Sequence, residues 1–189
     1  CALVRPDGVR VRAMNEEDMA GVINDFAETA DFMKAAGFDG VLIHAGHGFI
    51  FTQFLSARLN KRTDEYGGNL ENRARFPIRI LQGIRDRVGP DFLIEVRVSA
   101  QEGVEGGITP RETGIFCGML DKIADLIHVS TGLYTDPIET RQFSSMYVPH
   151  ACNADLAAEI KKYTSLPVGV VGGINSPEQA ETIVAEGKA

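Results

Sequence analysis

No stretch of this 189-residue sequence approaches the ~20 consecutive apolar residues that a membrane-spanning helix requires, so a membrane protein is not expected. A basic-then-apolar leader with a small-residue cleavage site is also missing from its start. There is no run of lysines or arginines, and 19 basic against 26 acidic residues leave a formal net charge of −7. That balance argues against a nucleic-acid partner, which needs a basic surface to neutralise phosphates. Cysteine is scarce: Cys1, Cys117 and Cys152 are odd in number and far apart, which suits isolated thiols better than a disulfide framework or a metal cluster. The expected location is therefore a reducing cytoplasm. With no linker-like or low-complexity segment to divide it, the chain reads as one domain or a part of one.

What the sequence does contain is an alternation of amphipathic helices and short apolar strands. Asn15 is a good N-cap, Glu16, Glu17 and Asp18 fill a first turn, and Met19, Val22, Ile23, Phe26, Ala30 and Met33 recur at helical spacing until Gly37. The uninterrupted run Gly40–His44 is the pattern of a parallel strand covered on both faces. A second helix is expected near 70–88, opened by Asn69 and stopped by Gly89-Pro90, provided that Pro77 falls in its first turns. A strand over 92–99 precedes Thr109-Pro110-Arg111-Glu112, a capping box with proline at the first helical position, which predicts a helix over 110–124. Strand 126–130, helix 154–164, strand 167–171 and a helix opened by Ser176-Pro177 and ending near Gly187 complete the series.

Four strand–helix units with a leading helix specify a parallel α/β fold, either a doubly wound sheet or a barrel. A complete (β/α)8 barrel needs roughly 250 residues, so on the barrel reading residues 1–189 are part of a single domain.

Polar residues stand where a barrel interior should be dry. Along strand 92–99, Phe92, Ile94, Val96 and Val98 share one face, while Leu93, Glu95, Arg97 and Ser99 share the other, which would point inward. Charges there are costly unless paired or used. Glu95 and Arg97 could pair with each other and merely fill the barrel; Arg97, nearer the carboxyl end where barrel enzymes keep their chemistry, is the better functional candidate. His44 ends the first strand, and Ala45-Gly46-His47-Gly48 leaves it as a flexible turn, placing two imidazoles at a barrel mouth. Their spacing is not that of the helical HExxH motif and no cysteine cluster adds ligands, so no metal is assigned. His128 reads as a hydrogen-bonded core residue. Ser130-Thr131-Gly132 forms a small-residue loop that could bring backbone N–H groups near a ligand, and Gly172-Gly173 ahead of the Ser176-capped helix is a generic anion site or simply a tight turn.

His44-Ala45-Gly46-His47-Gly48-Phe49, Gln53-Phe54-Leu55-Ser56, Asn60–Gly68 and Glu71–Phe76 together resemble the old yellow enzyme family of FMN-dependent NAD(P)H oxidoreductases, in particular its branch of 2,4-dienoyl-CoA reductases and NADH:flavin oxidoreductases. The resemblance extends over Arg97-Val98-Ser99, Val129–Gly132 and Gly172-Gly173, and it implies a partial TIM (β/α)8 barrel, its central to C-terminal part. It further implies that FMN is the cofactor and NAD(P)H the reductant, and that the substrate is a small unsaturated carbonyl compound. On this resemblance His44 and His47 are the catalytic pair that holds the substrate oxygen as hydride arrives from flavin N5. Arg97 would sit beside flavin N1 and O2, with Ser130, Gly172 and Gly173 also on the cofactor. An iron–sulfur cluster could belong to a longer parent protein but has no ligands in this chain.

Phe49 is a departure, since many members carry tyrosine there as the proton donor and phenylalanine has no proton to give. Tyr66, Tyr134 and Tyr147 are the alternative donors, left unranked by the sequence. Two other readings remain. One is a non-catalytic half barrel, whose unpaired sheet edges would favour pairing with another half or a homo-oligomer. The other is a different phosphate-binding barrel enzyme, such as an aldolase, disfavoured because no lysine stands at a strand end to form a Schiff base.

Overall fold

The computed structural model describes residues 8–134 and 142–189, together with the backbone of Leu3–Val4. It opens with two elements that the sequence pattern does not announce, strands β1 (Leu3–Val4) and β2 (Arg10–Val11), paired antiparallel. Helix α1 (Glu16–Ala35) follows, opened by the expected N-cap Asn15, which the structure shows as a full capping box: Asn15 Oδ1 accepts from the Asp18 amide and the Asp18 carboxylate accepts from the Asn15 amide, both at 2.9 Å. Met19 and Ala30 are buried, and the rest of the stripe packs against the core.

Strand β3 (Gly40–Ala45) leads into a third unannounced element, the short helix α2 (Ile50–Leu55), which buries Phe51, Phe54 and Leu55. Helix α3 (Leu70–Val88) has its N-cap at Asn69 and ends at Gly89, whose φ of +78° is a left-handed stop. Pro77 lies in the helix interior rather than its first turns. It leaves the Arg73 carbonyl without its i+4 amide, yet the helix continues because Phe76, Ile80, Leu81 and Ile84 are fully buried. Each such side chain contributes about 1.5–3 kcal/mol, enough to outweigh one lost helical bond.

After β4 (Leu93–Ser99), helix α4 spans Pro110–Gly118 with the Thr109/Glu112 box intact. It stops six residues short of the expected 124, and the chain tightens into turns in which Leu120 and Ile123 donate three residues back, to Cys117 and Leu120. Strand β5 (Leu126–Ser130) matches its prediction. Helix α5 (Ala154–Ile160) also ends early, where Lys162 and Tyr163 bond to Glu159 and Ile160 in the same three-residue pattern. Tyr163 is drawn against α4, where a Cβ on Gly114 would lie 2.4 Å from its ring. Strand β6 (Val168–Val170) and helix α6 (Pro177–Ala185) close the chain, with Ser176 Oγ accepting from the Gln179 amide at 3.2 Å.

Strands β3 to β6 form one parallel sheet in simple sequential order. A doubly wound sheet reverses its strand order at a switch point; this one does not, so it is an arc of a (β/α) barrel. Ile43, Ile94, Val96, Val98, Ile127 and Val129 face the helices and are buried. The opposite face carries Leu42 and His44, then Glu95 and Arg97, then Leu126 and His128, aligned strand to strand by the register His44–Arg97–His128–Gly169.

Candidate active site

The polar face gathers its chemistry at the carboxyl ends of the strands. His44 and Ala45 finish β3, and the chain then turns through Gly46, where any Cβ would stand 2.9 Å from both the amide nitrogen and Oγ of Ser99. His47 follows with φ +58°, a left-handed conformation that costs a non-glycine residue about 1–2 kcal/mol. Its surroundings impose that conformation. The His47 amide donates to Ser99 Oγ at 2.9 Å, Ser99 Oγ donates to the Gly132 carbonyl at 2.9 Å, and the His47 carbonyl accepts from the Tyr134 amide at 3.2 Å. The turn expected to be flexible is thus stitched to β4 and to the loop after β5.

The two imidazoles lie side by side, ring centroids 4.9 Å apart, with His47 Nδ1 3.2 Å from His44 Nε2. On its other side, His47 Nε2 is 2.9 Å from Ser130 Oγ. Burial, and then repulsion from His44 whenever it is protonated and from the Arg97 cation, push the His47 pKa down to about 4, against a smaller opposing pull from the Thr131 backbone. Burial and Arg97 lower that of His44 as well. Both rings are therefore neutral at pH 7, and each carries a single N–H. Phe49 covers His44, ring centroids 5.3 Å apart, and itself stacks on Tyr134.

Arg97 is the register partner of both His44 and His128. It does not pair with Glu95. The Glu95 carboxylate turns to the neighbouring strand instead, where Oε1 lies 2.9 Å from His128 Nδ1, within ion-pair reach but off the line of a good hydrogen bond. His128 stands opposite Arg97 in the register and Glu95 opposite Leu126, so Glu95 reaches His128 diagonally across the two strands. Relieved of that partner, Arg97 buries its Nε with no hydrogen-bond acceptor among the described residues. It borders a recess of about 280 Å³, together with Ser130, Ser144, Asn153, Gly172 and Gly173.

The two glycines adopt φ +149° and +63°. Behind them Asn153, buried, donates Nδ2 to the Val171 carbonyl at 2.7 Å, and a Cβ on Gly172 would come within 2.6 Å of that nitrogen. The start of α6 is occupied by its own caps, because Gln179 Oε1 accepts from the Asn175 amide at 3.2 Å and Ser176 takes the Gln179 amide. It is the glycines rather than the helix end that face the recess. The sequence-predicted residues His44, His47, Arg97, Ser130, Gly172 and Gly173 thus form one continuous line along the strand ends. Ser130 joins its halves, bonding to His47 while bordering the recess. Sequence reasoning missed Asn153, which carries no motif, and Ser99 as the anchor of His47, although its place on the polar face of β4 was a usable signal.

Of the three alternative proton donors, Tyr66 is buried elsewhere, its hydroxyl accepting from Arg79 Nη1, and Tyr147 is 89% exposed. Tyr134 stands at the histidine pair.

Residues 5–189 match the model of the NADH:flavin oxidoreductase / NADH oxidase family. The chain belongs to this family. The old yellow enzyme resemblance of the sequence is therefore correct. Among family members, a NADH oxidase of Thermoanaerobacter brockii is 39% identical over 186 residues, which is 96% of this chain and 28% of that protein. A metal reductase of Desulforamulus reducens is 39% identical over 177 residues, 93% of this chain and 26% of that protein. The structure of a 2-naphthoyl-CoA reductase complexed with 2-naphthoyl-CoA superposes with a TM-score of 0.89 at 32% identity, over 100% of this chain and 29% of that one. A histamine dehydrogenase from Rhizobium sp. 4-9 gives 0.87 at 33% identity, over 99% and 27%. The chain therefore spans less than a third of the length of these relatives. Among its described residues no helix is long and apolar enough to cross a membrane.

Proposed function

We propose that this chain is part of a single FMN-binding (β/α)8 barrel domain whose parent protein reduces an activated C=C bond, in an enone or enoyl thioester, with electrons from NAD(P)H. The observation that carries this reading is the pair of neutral, adjacent imidazoles held at the strand ends beside the Arg97 guanidinium. N–H donors in a positive field stabilise an oxygen that gains negative charge, as a carbonyl does when its β-carbon receives hydride. The same field repels a cationic ammonium group. This favours a carbonyl substrate over an amine such as the one for which the histamine dehydrogenase relative is named.

The recess offers partners for an anionic group. The buried Arg97 Nε lacks a protein partner, and the backbone at Gly172 and Gly173 lies open to the recess without side chains. Arg97, Gly172 and Gly173 would hold FMN, which when bound supplies the hydride. His44 and His47 orient the substrate through its oxygen. Tyr134, half-exposed and stacked on Phe49, gives its hydroxyl proton to the α-carbon and recovers one from water.

Expression of the full-length protein tests the proposal. It should purify yellow, release FMN on denaturation and, without oxygen, turn over NAD(P)H with an enone such as 2-cyclohexenone as acceptor. A colourless protein that FMN cannot reconstitute would refute it.

A further inference from the structure

Ser130 Oγ, His47 Nε2/Nδ1 and His44 Nε2 form a chain of contacts at 2.9 and 3.2 Å, and this constrains the His47 tautomer. Because His47 is neutral, only one of its nitrogens carries hydrogen. Nε2 faces the buried Ser130 hydroxyl, so Nδ1 is the nitrogen left to meet an oxygen that enters between the two rings. A lone pair at Nδ1 would repel that oxygen; an N–H would bind it. Nδ1 has its proton only if Nε2 is an acceptor, and Nε2 is an acceptor only if Ser130 donates.

We infer that Ser130 is a positioning residue that donates its hydroxyl hydrogen to His47 Nε2 and thereby fixes His47 as the Nδ1–H tautomer. This rests on the oxygen-binding role proposed for the pair and adds to it the residue that makes His47 a donor. His47 Nδ1 lies 3.2 Å from His44 Nε2, a separation long enough for an entering carbonyl oxygen to take the Nδ1–H. The Thr131 backbone is a second acceptor for a proton on the His47 ring and competes with Ser130 for its placement.

Neutron diffraction from deuterium-exchanged crystals of the full-length, FMN-loaded protein reads the protons directly, whether or not the protein turns over enones. Deuterium on Ser130 Oγ directed at His47 Nε2, with a second on His47 Nδ1, is expected. Deuterium on His47 Nε2, directed at Ser130 Oγ or the Thr131 carbonyl, overturns the inference. In parallel, Ser130→Ala should weaken binding of 2-cyclohexenone to the oxidised protein about tenfold, a loss of ~1.4 kcal/mol. Affinities are compared at equal FMN occupancy, and Ser130→Thr, which keeps a hydroxyl, should restore the affinity. Wild-type affinity in Ser130→Ala would also defeat the inference. A wild-type protein that binds FMN but no enone would instead defeat the proposed function, and the neutron result would still decide the tautomer.

Discussion

Phe49 lies flat against Tyr134, ring centroids 5.4 Å apart and planes inclined by 21°. This pairing places a phenol beside the residue that many relatives use as a proton donor but that here has no hydroxyl. Tyr134→Phe preserves the stack and removes only the acid. It should slow enone reduction about a hundredfold, in the range of lost general-acid catalysis, while the rate at which NAD(P)H reduces the flavin stays unchanged. Stopped-flow traces of the two half-reactions separate these effects, and equal slowing of both would speak against Tyr134 as the donor.

His47 makes stability depend on pH. Its pKa falls from 6.5 to about 4 on folding, so the unfolded chain binds the extra proton and the folded protein does not. The associated stability is complete above about 6.5 and is lost as pH falls towards 4, with a span of about 3 kcal/mol. Urea midpoints measured between pH 4 and 7 should decline on acidification, and His47→Gln should flatten that decline.

Glu102 acts in the opposite sense. It is fully buried, and burial raises its pKa despite hydrogen bonds from Ser56 Oγ at 2.6 Å and the Ile108 amide at 3.0 Å. A carboxyl whose folded pKa is raised costs stability as pH rises through that pKa. Glu102→Gln accepts the same two bonds through its carbonyl oxygen and avoids the charge. Its denaturation midpoint should exceed that of the wild type at pH 8, and the advantage should shrink at pH 5.

Two neighbouring glycines separate two reasons for being glycine. A Cβ on Gly67 would overlap the Arg62 carbonyl oxygen at 2.0 Å, whereas Gly68 has open space but φ +85°. Gly67→Ala should cost about 2 kcal/mol or more through overpacking, and Gly68→Ala about 1 kcal/mol through backbone strain alone. Thermal unfolding of the two variants side by side provides the comparison.

Much of the fold could be read because its signals are local. Asn15, Asn69, Thr109 and Ser176 cap the helices that they were expected to cap, since a cap is decided within four residues. Helix α2 escaped notice because six residues are too few to show a period, and its stability comes from burying Phe51 and Phe54. Past the end of α5, Tyr163 lies against Gly114 and Gly118 of α4, a contact between distant residues that no window of sequence contains. The site shows the same division. Alternation along β4 put Glu95 and Arg97 on one face, but only the side-chain packing of the assembled sheet brought Glu95 diagonally to His128, left Arg97 Nε without a partner among the described residues and set Ser130 against His47.

The binding of the substrate oxygen by His44 and His47 is tested most directly by single-turnover oxidation of the prereduced, full-length protein by 2-cyclohexenone. The double variant His44→Ala/His47→Ala should retain FMN and be reduced by NAD(P)H, but be reoxidised by the enone at least about a hundredfold more slowly than the wild type. Reoxidation at the wild-type rate would contradict that role for the pair.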